Sequence, residues 1–193
     1  PGIFTVYNAL AAVRVCMQYG VTPETAAGSL LDFQVKGRLQ FFSIPGGGEA
    51  VIDYAHNAMS LESVLTTLRA YRPARLITVF GCGGQRAKER RFQMGEVSGR
   101  LSDLTVITSD NPRWEAPEAI MDDIETGVRK TDGKYLRITD RKEAVKQAVE
   151  MAGPGDLVVI AGKGHENTQE IQGVFYRMDE QELVEEACTQ KLL

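Results

Sequence analysis

The sequence is poor in cysteine, histidine and positive charge. Its three cysteines, Cys16, Cys82 and Cys188, are widely spaced and odd in number. That pattern argues against a disulfide framework or a zinc cage and predicts a reducing, cytoplasmic setting. Lys and Arg number 22 against 26 Asp and Glu, giving a net charge of −4, so there is no basic footprint for nucleic acid or an anionic membrane surface. No apolar run reaches the roughly 20 residues that span a bilayer, and no basic segment with an apolar stretch behind it opens the chain. Internal repeats and low-complexity segments are missing. So are G-x-x-x-x-G-K-[ST] and G-x-G-x-x-G, the phosphate-loop and dinucleotide signatures.

What is present is ordinary globular material: 193 residues, 43% hydrophobic and 25% charged, enough for one full domain plus a fragment of another. The chain starts at Pro1 beside a helix-like segment and is expected to be a piece of a longer protein. Residues 6–19, VYNALAAVRVCMQY, carry apolar residues at helical spacing. A second helix is expected over PETAAGSLLDF behind the cap-like Thr22, with Pro23 at its first position. This pair is too small for a domain. Gly37 marks the junction, with 1–36 as the tail of a neighbouring domain and 37–193 as a domain of its own.

From there RLQFFSI and AVIDYAH flank PGGGE, a hairpin signal. Helix-spaced and strand-like runs then alternate. LESVLTTLRAY places Leu61, Val64, Leu65 and Leu68 on one face, and RLITVFG reads as a strand. FQMGEVSGRL reads as a helix, LTVITSD as a strand, EAIMDDIETGV as a helix and KYLRIT as a strand. Asp140 with Glu143 resembles a capping box before RKEAVKQAVEMA. LVVIAG is the most apolar strand, followed by VFYRM and an acidic helix, EQELVEEA. Such alternation predicts an α/β, doubly wound, mostly parallel sheet with an added N-terminal hairpin. Ligands of such sheets bind at the carboxyl ends of the strands.

The unusual polar residues fall at those ends: DYAH at 53–56, GCGGQR at 81–86, DNPR at 110–113, TDR at 139–141 and GKGHE at 162–166. Both histidines of the chain belong to this set. GCGGQR reads either as an anion-binding turn or as a tight turn that needs positive φ. Cys82 has no base beside it and reads as a small filler. In DNPR, Pro112 keeps Asn111 out of the helical region. Asn111 and Arg113 then offer an amide and a planar fork suited to a ligand bearing an ammonium and a carboxylate; an Asx-turn with a surface arginine is the other reading. Glu166 can pair a substrate amine. His56 and His165 with Asp53 and Glu166 also allow a metal site, although the spacing is not diagnostic. KERR at 88–91 reads as a solvated helix face or a local basic cluster.

Taken together and in order, VYNALAA, the GR at 37–38, IDYAHN, VFGCGG, TSDNPR and AGKGHE resemble the Mur ligase family over nearly the whole chain. Within the family they resemble the branch that adds the third residue of the peptidoglycan stem peptide. The resemblance implies a Rossmann-like C-terminal domain preceded by the last helices of a central ATPase domain. It implies that ATP phosphorylates the terminal carboxylate of UDP-MurNAc-L-Ala-D-Glu, with Mg²⁺ offsetting phosphate charge, and that an amine then attacks the acyl phosphate. It assigns Asn8, Arg38, Asp53 and His56 to ATP, and Arg86, Asp110, Asn111, Pro112, Arg113, Gly162 and Glu166 to the incoming amino acid. DNPR resembles the version that selects meso-diaminopimelate over lysine. No residue here is assigned to catalysis or to holding the metal, the chain is expected to be monomeric, and alone it is expected to be inactive. A lysine-adding or folylpolyglutamate-type ligase domain, a dinucleotide-binding module and a metal-dependent hydrolase using His56 and His165 are the competing readings. The chain departs from the frequent family pattern at Gln85, where Asp is common, and at Asn57-Ala58, where Thr-Pro is common.

Overall fold

The computed structural model describes residues 2–31 and 33–192; Pro1, Asp32 and Leu193 lie outside them. The chain divides into two compact units, 1–35 and 36–193.

The first unit is a helix pair, α1 (Ile3–Gln18) and α2 (Pro23–Gly28). Thr22 caps α2 by accepting the Thr25 N–H at 3.3 Å, and Pro23 occupies the first turn, where a missing N–H costs nothing. This helix ends at Gly28 rather than running through the expected stretch to Phe33, part of which, at Asp32, falls outside the described residues. Along α1, Val6, Tyr7, Leu10 and Val15 are exposed.

The second unit begins with a hairpin, β1 (Gln40–Ile44) and β2 (Gly48–Asp53), and continues through α3 (Ala58–Arg69), β3 (Leu76–Phe80), α4 (Glu89–Leu101), β4 (Leu104–Ile107), α5 (Pro117–Val128), β5 (Tyr135–Arg137), α6 (Arg141–Met151) and β6 (Leu157–Ala161). A second hairpin, β7 (Thr168–Ile171) with β8 (Val174–Arg177), precedes α7 (Glu180–Lys191). The main sheet has the order β1-β2-β6-β3-β4-β5, antiparallel only at β1. The last of these six strands in sequence, β6, is therefore inserted between β2 and β3, the arrangement that opens a crevice at the carboxyl edge. Asp53, Ala161, Phe80, Ile107 and Arg137 pair across the sheet in a single row, each the last residue of its strand. The turns that follow them share one edge.

Side chains alternate along each strand. Ile52, Ile77, Val79, Val106, Val158 and Ile160 meet Ala144, Val145, Ala148 and Val149 of α6 and Val184 of α7. On the other face lie α3, α4 and α5, with a small polar network at the α4–sheet contact: Thr78 to Ser102 at 2.7 Å and Ser98 to Thr105 at 2.7 Å. α4 and α5 touch backbone to backbone. A Cβ on Gly95 would stand 2.1 Å from the Ile124 carbonyl oxygen, and one on Gly127 2.0 Å from that of Phe92. No described helix is long and apolar enough to cross a membrane.

Two local expectations need correction, and one strand went unread. Asp140 does cap α6, accepting from the N–H groups of Lys142 and Glu143, but Glu143 pairs with Gln147 at 2.7 Å instead of closing a capping box. Within KERR, Arg91 is neither solvated nor part of a basic patch: it is buried between Asp123 at 3.0 Å and Glu115 at 2.9 Å. Strand β7 was not legible, because TQEI has no buried residue to impose an apolar period. What positions this hairpin is backbone pairing with the 110–113 turn, described below.

Candidate functional site

The turn after β4 is the centre of the site, and its shape is set by three neighbours. Pro112 carries Asn111 out of the helical region, and Arg113 takes the left-handed conformation, φ 54°, which a non-glycine residue adopts only when surroundings fix it. Two backbone bonds to the β7–β8 hairpin fix it. The Arg113 N–H donates to the Glu170 carbonyl at 3.1 Å, and the Gln172 N–H donates to the Arg113 carbonyl at 2.7 Å. On its other side the turn meets the loop after β3. The Gly84 N–H donates to the Asn111 carbonyl at 2.9 Å, and a Cβ on Gly84 would lie 2.0 Å from the Pro112 oxygen. Only glycine permits that approach, so the GCGGQR glycines serve loop docking here.

The Arg113 guanidinium is held at two corners. Nη1 donates to the Gly84 carbonyl at 2.8 Å, and Nε lies 3.1 Å from Glu170 Oε2. Among the described residues Nη2 has no partner, and about a fifth of the side chain remains accessible. Trp114 projects outward; its ring lies against Gly173 in the β7–β8 turn.

Asn111 is more committed than the sequence suggested. Its Oδ1 accepts from Lys163 Nζ at 3.1 Å and from the Glu170 N–H at 3.0 Å, while its Nδ2 donates to Glu166 Oε2 at 3.1 Å. Lys163 is fully buried, and its Nζ is 2.9 Å from the same Glu166 oxygen. Burial alone would raise the Glu166 carboxyl, yet the ammonium of Lys163 and the amide of Asn111 hold it below the usual glutamate range. Asp110 is buried and turned back on its own turn, Oδ1 accepting the Asn111 N–H at 2.6 Å. Gln169 of β7 bonds the Ser109 hydroxyl and the Asp110 carbonyl. Gly162, at φ 113°, brings the next loop within 3.1 Å of Asp110 Oδ2, measured from the Cβ it lacks.

Arg86 is exposed and, among the described residues, unpaired. Its loop is steadied by Glu115, which accepts the Gln85 N–H and the Arg91 guanidinium. That guanidinium is the first reason the Glu115 carboxyl sits below its ordinary value. Cys82 is buried under this loop, and desolvation pushes its thiol up to about 12; it is a filler.

At the end of β2, Asp53 is a buried anchor whose two oxygens accept the Leu39 N–H at 3.0 Å and the Ala55 N–H at 2.9 Å. Burial pushes its carboxyl up, and these donors with the charge of Arg38 offset only part of that. The anchoring places Arg38 with Cζ 4.7 Å from the centre of the Tyr54 ring. His56 and His165 flank the same ring, at 4.8 and 5.1 Å between centroids, and the His56 Nδ1 meets the Tyr54 carbonyl oxygen at 3.0 Å. The metal reading of Asp53, His56, His165 and Glu166 fails on this geometry. Among the described residues no three metal-ligating side chains converge, and Asp53 and Glu166 already have protein donors. Asn8 is exposed on α1, in the other unit.

Sequence reasoning missed the supports. Arg141, read as one of the strand-end polar residues, is wholly buried: it donates to the Ser109 and Ala161 carbonyls at 3.3 and 2.8 Å and to Glu180 Oε1 at 2.8 and 2.5 Å. It thereby ties the ends of β4 and β6 to α7. Burial acts to lower the guanidinium, but the charges of Glu180 and Asp110 more than reverse it and leave it raised, while burial pushes the Glu180 carboxyl up. The guanidinium is by far the stronger base, so the pair is ionic. Glu170 and Gln169 also went unseen, because nothing in TQEI marks it as part of a site some 60 residues away in the chain.

Comparison with known proteins identifies the family. Residues 37–164, more than half the chain, match the family model "Mur ligase, glutamate ligase domain". A UDP-N-acetylmuramoyl-L-alanyl-D-glutamate–2,6-diaminopimelate ligase of Clostridioides difficile is 42% identical over 193 residues, 100% of this chain and 40% of the relative. The ligase of the same name from Chlorobaculum tepidum is 44% identical over 192 residues, 97% of this chain and 37% of the relative. A solved structure of a ligase with that name superposes with a TM-score of 0.79 at 37% identity, covering 100% of this chain and 39% of the other. The chain thus spans about two fifths of the length of these relatives.

Proposed function

The chain belongs to the Mur ligase family, and on that premise we propose that it is the carboxyl-terminal part of an ATP-dependent ligase that joins meso-diaminopimelate to UDP-MurNAc-L-Ala-D-Glu. The single observation that carries this reading is the fixed Arg113 fork, set at the carboxyl edge of the sheet in the same turn as the Asn111–Glu166 pair. Diaminopimelate bears an ammonium and a carboxylate on its far carbon, where lysine bears only the ammonium. Glu166 receives the ammonium and Arg113 the carboxylate, and with lysine the Arg113 fork is left unanswered. Asp110, Pro112, Gly162 and Arg86 shape the pocket, the first three through backbone placement.

On this reading residues 37–193 bind the amino acid, and 1–36 are the last helices of the central ATPase domain, whose remainder would cover the apolar side chains exposed along α1. The attacking amine forms a bond to the carbonyl carbon of an acyl phosphate. The tetrahedral intermediate then breaks its bond to the phosphate oxygen, and the nitrogen loses its proton. Within 36–193 the reading assigns Arg38 and His56 to the nucleotide, with Asp53 acting by fixing the backbone beside Arg38, and within 1–35 it assigns Asn8 to the same ligand. The described residues offer no Mg²⁺ site, and the reading leaves that ion to the rest of the ligase. The test is an amino-acid panel with the full-length enzyme: meso-diaminopimelate is expected to give by far the highest kcat/KM, and a preference for lysine sinks the assignment of Arg113.

A further inference from the structure

Lysine is among the residues least often fully buried, because an ammonium away from water is costly unless it is paired. Lys163 is nevertheless at 0% exposure, and it spends its charge on two residues of the pocket, Glu166 and Asn111. The consequence for Asn111 is directional. With Lys163 Nζ and the Glu170 N–H both donating to Oδ1, the amide is fixed with Nδ2 toward Glu166; the flipped amide would set two donors against an ammonium. The consequence for Glu166 is similar. Its Oε2 accepts from both Lys163 and Asn111, whereas Oε1 has no partner among the described residues, and a third of the side chain is accessible. We infer that Lys163 is the positioning residue of the amino-acid pocket: its buried ammonium orients Asn111 and keeps Glu166 an anion, with one oxygen turned to the ammonium of the ligand.

This inference rests on the reading of 110–113 and 162–166 as the amino-acid site. The charges that act on Glu166 are Lys163 and His165 of its own loop and Arg141 of α6, and Glu180 of α7 acts on Lys163. Arg141 is already paired with Glu180, which leaves Lys163 as the cation that directly neutralises Glu166. Without it, desolvation would raise the Glu166 carboxyl, and the ligand ammonium would lose its partner at a higher pH.

The test is steady-state kinetics of the full-length ligase with Lys163→Met, Lys163→Arg, Glu166→Gln and the Lys163→Met, Glu166→Gln double variant, each checked by thermal unfolding. For Lys163→Met the KM for diaminopimelate is expected to rise about tenfold or more while the KM for ATP stays within about twofold. The acid limb of kcat/KM for the amino acid is expected to move up by about one pH unit, and Lys163→Arg to bring part of it back. The double variant is expected to lose clearly less than the two single losses combined, since the lysine acts in large part through that carboxylate and for the rest through Asn111. An unchanged KM and acid limb, or independent additive losses, would overturn the assignment. So would unfolding of both Lys163→Met and the double variant, which would make the lysine a folding determinant only. A wild-type enzyme that prefers lysine refutes the specificity reading alone: the Lys163 comparison is then run with lysine, which carries the same ammonium.

Discussion

Arg113 shows what a single residue has to supply. Its backbone is held at positive φ by two hydrogen bonds to the β7–β8 hairpin, and its side chain is steadied by Gly84 and Glu170, so the fork is preorganised before a ligand arrives. Arg113→Ala in the full-length enzyme is expected to raise the KM for diaminopimelate by about one to two orders of magnitude, as a lost charge-assisted fork of roughly 2–3 kcal/mol requires. The KM for lysine as a poor alternative substrate should hardly move. Arg113→Lys is expected to recover little, because an ammonium cannot bond Gly84, Glu170 and a carboxylate in one plane. Equal losses for both amino acids in a kinetic comparison would show that the arginine shapes the turn and does not read the carboxylate. The turn residues themselves were legible in the sequence, since Asp110 to Arg113 is more polar than a strand-to-helix turn needs. Their partners were not. Lys163 and Glu166 stand three apart in one motif, yet their pairing was not read from it, and Asn111 joins them across 52 residues of chain, where only the sheet order brings it.

Between elements, the tie that matters most to the site is Arg141–Glu180, with neither side chain exposed. Arg141 reaches from the first residue of α6 to the carbonyls that end β4 and β6, so the start of α7 is clamped to the edge that carries the pocket. Glu180 Oε2 lacks a partner among the described residues, which makes the pair sensitive to loss of one member. Arg141→Met is expected to cost about 3–5 kcal/mol, most of it from the carboxylate left buried without its cation. Arg141→Met with Glu180→Leu should recover a large part of that. Urea or thermal unfolding of the three variants measures it, and a single variant as stable as wild type would contradict the clamp. The helices and core strands themselves were readable, because their apolar spacing follows the face that meets the sheet: Leu61, Val64, Leu65 and Leu68 are all buried as that spacing requires. The β7–β8 hairpin was half hidden for the converse reason, having no buried residue to impose a period. Asn57, standing where Thr is common, caps α3 in a full capping box with Ser60, so this departure keeps the local structure that the family pattern serves.

For the whole molecule the buried and paired carboxylates set the acid response. Six groups sit below their ordinary values: Asp103, Glu115, Glu125, Asp156, Glu166 and Asp179. For Glu115 and Asp156 the main cause is the arginine that bonds them, Arg91 and Arg75. For the other four, burial pushes up and hydrogen-bonded partners more than reverse it. A carboxyl lowered on folding adds stability above its unfolded value and loses it as pH falls through the folded one. Asp53 and Glu180, both raised chiefly by desolvation, act in the opposite sense and gain from acid. Glu125, Asp156 and Asp179 are buried against their partners, and their loss on acidification is expected to outweigh the gain at Asp53 and Glu180, while the partly exposed Asp103, Glu115 and Glu166 are solvent-screened and add little. The unfolding midpoint of the chain is therefore expected to be flat from neutrality down to about pH 5 and to fall below about pH 4. The decline should be shallower when Asp156 is made Asn, since one of the linked protons is then gone. A thermal-unfolding series across that range measures both slopes, and stability that rises on acidification would mean that the two desolvated carboxyls, Asp53 and Glu180, outweigh the paired ones.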